Sequence, residues 1–223
     1  MSASIMSSGV VKINQVPDIV DVTNMKKILR KLGVKIKKQK NDLILDPREI
    51  KNFKVDENLS KTMRSSIFLL GALLSKFKVA NITLPGGCTI GARPIDLHIE
   101  ALKKLNVLVT EHEKGFSFDA THARAGKVKL KIPSVGATEN VVQFAITLSG
   151  KTTIYNPARE PEVVDLCNFL NAMGAKIVGA GTKKITIYGV DSLNGAQYKP
   201  IKDRIVAGTI MVATAITKGS VTI

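Results

Sequence analysis

The sequence predicts an α/β (α+β) fold built from three copies of one unit of about seventy residues, with the sheets outward and apolar helices at the centre. The first observation behind this prediction is a segment that occurs four times, each time with the pattern of a helix end, a small or polar break and a short strand. The four copies end at Ile13, Ile82, Ile154 and Ile223, spaced by 69, 72 and 69 residues. Such a regular period indicates internal repeats.

The second observation is an amphipathic helix in every unit, with apolar residues near i, i+3, i+4 and i+7. The apolar positions are Met25, Ile28, Leu29 and Leu32 in the first unit, Ile95, Ile99, Leu102 and Leu105 in the second, and Val163, Leu166, Phe169, Leu170 and Met173 in the third. These helices are expected to end at Gly33, Asn106 and Gly174, because Gly and Asn tolerate the left-handed conformation of a helix C-terminus.

The third observation is a strand pair followed by a largely apolar helix. The strand pairs are predicted at 35–38 with 43–45, 108–111 with 116–118, and 176–178 with 185–188. The apolar helices are predicted at 62–76, 136–148 and 204–217, each preceded by a further strand, and all three are expected to be buried on most sides.

The domain organisation follows from the matching chain ends. Because the segment at Ile13 matches the one at Ile223, three units can close into a roughly threefold arrangement. We expect residues 1–8 to be a cloning remnant followed by the tail of a helix from a missing domain. Residues 9–223 are expected to form a single domain, with repeats at about 9–77, 78–150 and 151–223.

Composition favours a folded globular protein, since 44% of the 223 residues are hydrophobic. No apolar run is long enough to span a bilayer, and the first residues lack the features of a signal peptide. Two cysteines do not make a disulfide framework, so a reducing, cytoplasmic location is expected.

The net charge of +15 has several interpretations. A basic chain can bind nucleic acid, but aromatic residues are only 4% and no nucleic-acid-binding motif is present, so we expect no nucleic acid. A pocket for small anionic substrates, a solvated lysine-rich surface, and the absence of an acidic partner domain are the other interpretations.

The second unit carries an insertion that the other units lack. From the end of the strand to the aspartate of the next helix there are 8 residues in the first unit, 14 in the second and 11 in the third. The extra residues lie in segment 85–94, Pro-Gly-Gly-Cys-Thr-Ile-Gly-Ala-Arg-Pro. Its glycines bring backbone amides close to a ligand, and Pro94 suits the first turn of a helix, whose N-terminus favours anions.

Cys88 lies in this insertion, close to Arg93. A cysteine in such a setting has a lowered pKa and serves as a nucleophile or an acid. The alternative is a mobile glycine-rich turn with an incidental cysteine.

Cys167 lies among apolar residues of a helix and is interpreted as a core residue. Asp96 has counterparts at Asp21 and Asp165, so part of its role is to favour a helix start.

The histidines do not predict a metal site. His98, His112 and His122 have neither the spacing nor the Cys or His partners of a metal centre. We therefore expect no metal.

Five segments resemble the UDP-N-acetylglucosamine 1-carboxyvinyltransferase (enolpyruvyl transferase) family. The 85–98 segment resembles the active-site loop of that family, and four further segments resemble the family in the same order: 61–66, 134–138, 158–162 and 203–204. The resemblance covers nearly the whole chain and implies one domain of two, an inside-out α/β barrel of three repeated units. It further implies transfer of the enolpyruvyl group of phosphoenolpyruvate to the 3′-hydroxyl of UDP-N-acetylglucosamine with release of phosphate. This is the first committed step of peptidoglycan synthesis, and hence of cell-wall biogenesis, cell shape and division, and it needs no cofactor.

The resemblance also implies roles for individual residues. Cys88 resembles the general acid toward phosphoenolpyruvate, which the antibiotic fosfomycin alkylates. Arg64 and Arg93 resemble arginines that bind substrate, the latter at phosphate charge. The remaining positions resemble contacts to the uridine nucleotide and its diphosphate: Arg93, Pro94, Ile95, Asp96, Leu97, Ser134, Val135 and Gly136.

The chain departs from some family members at Ile132 and Pro133, where a lysine is found in other branches, and at Val206, where many have Glu. The resemblance places the catalytic aspartate and other phosphoenolpyruvate contacts on a second domain that this chain lacks. We therefore expect the chain to fold without turnover. The alternative is a non-catalytic module that binds nucleotides or anions on the same fold.

Overall fold

The computed structural model describes residues 1–83 and 95–223. In these ranges it has seven α-helices and eleven strands. The α-helices are α1 (Val20–Leu32), α2 (Glu57–Ser60), α3 (Leu69–Phe77), α4 (Asp96–Lys103), α5 (Val135–Ala145), α6 (Pro161–Ala172) and α7 (Arg204–Ile216). The strands are β1 (Val11–Ile13), β2 (Lys35–Gln39), β3 (Asp42–Asp46), β4 (Val79–Thr83), β5 (Leu108–His112), β6 (Gly115–Asp119), β7 (Lys127–Lys129), β8 (Lys151–Tyr155), β9 (Lys176–Val178), β10 (Lys184–Tyr188) and β11 (Gln197–Tyr198). Two 3-10 helices span Ser2–Met6 and Arg64–Phe68.

The three predicted strand pairs are confirmed, and each belongs to a separate sheet. In every sheet the first strand of a unit pairs antiparallel with the second strand of its hairpin: β1 with β3, β4 with β6, and β8 with β10. The other hairpin strand, β2, β5 or β9, then pairs with that second strand. Alternating burial along β3 and β4 shows one face of each sheet packed on the core.

A strand from the preceding unit joins two of these sheets. Strand β7 runs parallel to β8, and β11 runs parallel to β1. In the middle sheet a single parallel bridge from Lys54 to Asn81 takes that place. Because β11 comes from the third unit and β1 from the first, this pairing closes the chain on itself.

The amphipathic helices α1, α4 and α6 end as predicted. The left-handed residues after them are Gly33 with φ 106°, Asn106 with φ 62° and Gly174 with φ 102°. The residue that follows turns directly into the first strand of a hairpin, so the C-terminal signal determines where each hairpin begins.

Helices α3 and α5 form the buried centre. Every residue from Leu69 to Ser75 is buried, and the two helices pack against each other. A methyl group on Gly71 would collide with the backbone carbonyl of Asn140, so this approach requires a glycine. The predicted helix at 62–76 is divided in the structure into the 3-10 helix Arg64–Phe68 and α3.

The expectation that the third apolar helix is buried is wrong. Helix α7 forms at the predicted place, but none of its residues is buried. The position beside α3 is occupied instead by the 3-10 helix Ser2–Met6, whose Ile5 is completely buried. The apolar pattern of α7 is real, but no described part of the chain covers it.

Candidate functional site

A cleft of about 650 Å³ lies between the 3-10 helix Arg64–Phe68 and the starts of α4 and α5. All three units contribute side chains to it. The lining residues are Asp21, Thr62, Met63, Arg64, Ser65, Ile67, Phe68, Leu97, His98, Ser134, Val135, Gly136 and Glu162. Five of the residues that the resemblance assigns to substrate, from three separate parts of the sequence, therefore border one space.

Among the described residues, Arg64 is the lysine or arginine that lines this cleft, and it occupies the first position of its 3-10 helix. The extended backbone of Met63 directs the chain into the helix, and Met63 itself is buried. A hydrogen bond of 3.1 Å joins the buried hydroxyls of Ser60 and Ser66 across the same turn. The backbone that carries the guanidinium is thus held from both sides, which suits a residue that must meet a fixed anion.

The start of α5 contributes backbone donors. Ser134 caps the helix, because its hydroxyl accepts a hydrogen bond of 3.3 Å from the amide of Ala137 and its carbonyl accepts from Thr138. The amides of Val135 and Gly136 lie in the first turn, where N–H groups have no partner inside a helix. Together with the helix dipole they make this end of the cleft suitable for an anion.

The start of α4 is adjacent. Ile95 precedes the helix and is only 5% exposed, so its side chain belongs to the core. Asp96 is the first residue of the helix and is exposed, which fits its expected role in favouring the helix start, while Leu97 lines the cleft.

His98 is one of several cleft residues that the sequence did not single out for binding. Its side chain is 6% exposed, and burial, reinforced by the charge of Arg64, lowers the pKa of the imidazole to about 4, with Asp96 opposing. The ring is therefore neutral at physiological pH. The sequence holds one indication of this burial. Asn140 is a polar residue inside an apolar helix, and such a residue usually has a buried hydrogen-bonding partner, which here is His98.

Three predicted site residues, Cys88, Arg93 and Pro94, lie outside the described residues. Cys167 is confirmed as a core residue: it is completely buried, and burial, followed by the charge of Glu139, raises the pKa of its thiol to about 12. Such a thiol is a poor nucleophile.

The described residues contain neither a cluster of metal ligands nor a membrane-spanning helix. In residues 1–83 and 95–223, no group of three or more His, Cys, Asp or Glu side chains is arranged to hold a metal ion. In the same ranges, no helix has the length and apolar character needed to cross a bilayer.

The architecture is that of an enolpyruvyl transferase. A crystal structure of the enolpyruvyl transferase NikO from Streptomyces tendae superimposes with a TM-score of 0.83 at 21% identity, covering 95% of this chain and 51% of that one. The EPSP synthase of Acinetobacter baumannii gives a TM-score of 0.73 at 20% identity, covering 96% of this chain and 50% of that one. At such identities the likeness shows the fold alone.

The family model for EPSP synthase (3-phosphoshikimate 1-carboxyvinyltransferase) matches residues 1–223, and the chain belongs to this family. The UDP-N-acetylglucosamine 1-carboxyvinyltransferase 2 of Caldanaerobacter subterraneus is 46% identical over 223 residues, covering 100% of this chain and 54% of that protein. The UDP-N-acetylglucosamine 1-carboxyvinyltransferase of Prochlorococcus marinus strain NATL2A is 45% identical over 222 residues, covering 98% of this chain and 48% of that protein. The chain thus spans about half the length of the curated relatives it matches.

Proposed function

We propose that this chain is one half of a UDP-N-acetylglucosamine 1-carboxyvinyltransferase, the half that binds the nucleotide sugar and carries the acid Cys88. The observation that supports it most strongly is the cleft between Arg64, Leu97 and the start of α5. It has a cation and backbone donors for a diphosphate, beside apolar surface for a base. Relatives of that name match the chain over its whole length.

In the proposed reaction the 3′-hydroxyl of UDP-N-acetylglucosamine takes the enolpyruvyl group of phosphoenolpyruvate, and inorganic phosphate leaves. The residues of the cleft hold the nucleotide, with Arg64 and Arg93 meeting negative charge. Cys88 acts as the general acid toward phosphoenolpyruvate, a role that contributes about a hundredfold to ten-thousandfold in rate.

The proposal includes a partner, a second domain that supplies the base and the remaining phosphoenolpyruvate contacts. Domain closure would then exclude water from the reacting groups. The exposed apolar side chains of α7, among them Met211 and Val212, support a covering partner of this kind. The proposal also includes a cytoplasmic location and a role in peptidoglycan synthesis.

The test adds the second domain, as a fused or separate chain designed from the relatives, and measures phosphate release with both substrates present. We expect background release from the present chain alone and turnover after reconstitution. Cys88→Ser in the reconstituted protein should lower turnover at least a hundredfold, because it removes the acid. Fosfomycin should add its mass to Cys88 in the reconstituted protein, and Cys88→Ser should abolish that labelling.

Cys167→Ser is the matched control, since Cys167 is buried away from the cleft lining. It should leave both turnover and labelling close to those of the parent. A folded, reconstituted protein that binds the nucleotide but releases no phosphate would contradict the proposed transfer and favour a non-catalytic binding module.

A further inference from the structure

Helix α7 is joined to the rest of the molecule at its first turn. Within residues 1–83 and 95–223 it makes no extended packing contact with another helix or strand, and none of its residues is buried. Its first residue, Arg204, donates two hydrogen bonds to Glu162 of α6, from Nε to Oε2 at 3.1 Å and from Nη2 to Oε1 at 2.9 Å. A bidentate pair of this kind fixes the direction of the guanidinium as well as its distance.

The segment that leads into α7 is held by the same face of α6. Asp165 lies three residues after Glu162, and residues at that spacing share a helix face. Its Oδ1 accepts hydrogen bonds from the hydroxyl of Tyr198 at 2.9 Å and from the backbone N–H of Ile201 at 3.2 Å. Two residues separate Ile201 from Arg204, so the chain entering α7 is fixed at both ends of a very short stretch.

The side chains of α7 are suited to being covered. Its threonine hydroxyls donate to backbone carbonyls of the preceding turn: Thr209 to Ile205 at 2.9 Å, Thr214 to Ile210 at 2.8 Å and Thr217 to Ala213 at 2.9 Å. Hydroxyls bonded in this way need no water. The surface that remains is apolar, with Met211 and Val212 each 60% exposed. The proposed second domain is a partner that can cover it, because the chain spans about half the length of its relatives.

A helix that a separate domain must cover gains from having its direction set beforehand. Association then costs less conformational freedom, which strengthens docking without any new contact. In the described ranges, the ion pair of Arg204 with Glu162 is the side-chain contact that sets this direction.

We propose that Glu162 and Arg204 are positioning residues, whose ion pair holds α7 in the orientation on which the second domain docks. The inference rests on the proposed function, because the second domain is part of it. The two side chains act on the reaction through α7, and no bond is made or broken at either of them.

Nitrogen-15 NMR relaxation of the present chain tests whether the pair holds α7. In the parent, the α7 amides should move with the rest of the molecule, with order parameters of about 0.85. Arg204→Gln and Glu162→Gln each remove one charge of the pair, and each should lower these values below about 0.6. The double variant should lower them no further than either single one, because the two side chains act as a unit.

Arg48→Gln is the matched control. Arg48 also makes a bidentate pair, with Asp46 at 2.8 and 2.7 Å, but its partner is two residues away and the pair does not reach α7. This variant should leave the α7 order parameters unchanged, and thermal melting checks that every variant is folded. A mobile α7 in the folded parent, or an α7 as rigid in the folded single variants as in the parent, would overturn the inference.

Turnover of the fused two-domain protein gives the second readout. Arg204→Gln should lower turnover about fivefold, since a fraction of the molecules then has an undocked second domain. Arg204→Lys keeps the charge and should recover most of that loss, while Arg48→Gln should match the parent. If Arg204→Gln turns over like the parent, or if Arg204→Lys does no better than Arg204→Gln, the inference is wrong and the proposed function stands. A fused parent without turnover would instead overturn the proposed function, and the docking role with it, even where NMR shows that the pair holds α7.

Discussion

Helices α5 and α7 are both rich in apolar residues, but their environments are opposite. Both are apolar on most sides, and both begin with a capping side chain: Ser134 accepts from Ala137, while Asp203 accepts from Ile205 and Val206. Eight of the eleven residues of α5 are buried, and none of the thirteen of α7. This difference shows that a helix with apolar residues on most sides is expected to pack against other elements, but its sequence does not identify those elements.

The largest expected effect comes from truncating one large side chain in each helix. Phe144 in α5 is completely buried, so Phe144→Ala should lower the free energy of unfolding by about 3–5 kcal/mol. Met211 in α7 is 60% exposed, so Met211→Ala should change it by no more than about 0.5 kcal/mol. Urea denaturation measures both. Equal losses would mean that α7 is covered in solution, for example by a second copy of the chain.

A smaller effect, of opposite sign at the two sites, is expected from Gly71, which packs against α5, and from Gly208 in α7. Gly71→Ala in α3 forces a methyl group against the Asn140 carbonyl, so we expect a loss of about 1–3 kcal/mol. Gly208→Ala in α7 meets no atom within 4 Å and should stabilise the helix by up to about 1 kcal/mol. Urea denaturation and helical circular dichroism report the two values. A destabilising Gly208→Ala would show that this side of α7 is occupied.

The smallest effect is the pH dependence of stability that Glu139 in α5 contributes. Burial, together with the charges of Glu162 and Glu160, raises the pKa of Glu139 from 4.5 to about 8, with the Met1 amino group opposing. The folded state therefore binds more protons than the unfolded state between these values, and stability falls as pH rises from 4.5 toward 8.

The buried amino group of Met1 has its pKa lowered to about 6, mainly by burial, which raises stability with pH between 6 and 8 and offsets Glu139 there. The Glu139 contribution is therefore clearest between pH 5 and 6. In that range the free energy of unfolding of the parent should fall with rising pH, by at most about 1.4 kcal/mol per pH unit, and Glu139→Gln should lack this fall. Melting curves at several pH values check this, and identical slopes for parent and variant would show that Glu139 titrates normally.

Much of the candidate site could be predicted from the sequence, and the reason differs from residue to residue. Arg64, Leu97 and Ser134–Gly136 were found because they belong to recognisable segments, and they border one cleft. His98 was missed because its significance depends on Asn140, 42 positions away, and on the close approach of Gly136. A single sequence does not show that these residues meet.

The sequence by itself determined the repeat, the three hairpins and the ends of α1, α4 and α6. These features depend on interactions within a few residues, such as the left-handed conformation at Gly33, Asn106 and Gly174. Tertiary structure alone decided the pairing of β11 with β1, the hydrogen bond between His98 and Asn140, and the exposure of α7. Each of these depends on which distant element lies alongside, and the periodicity of a segment carries no information about its neighbours in space.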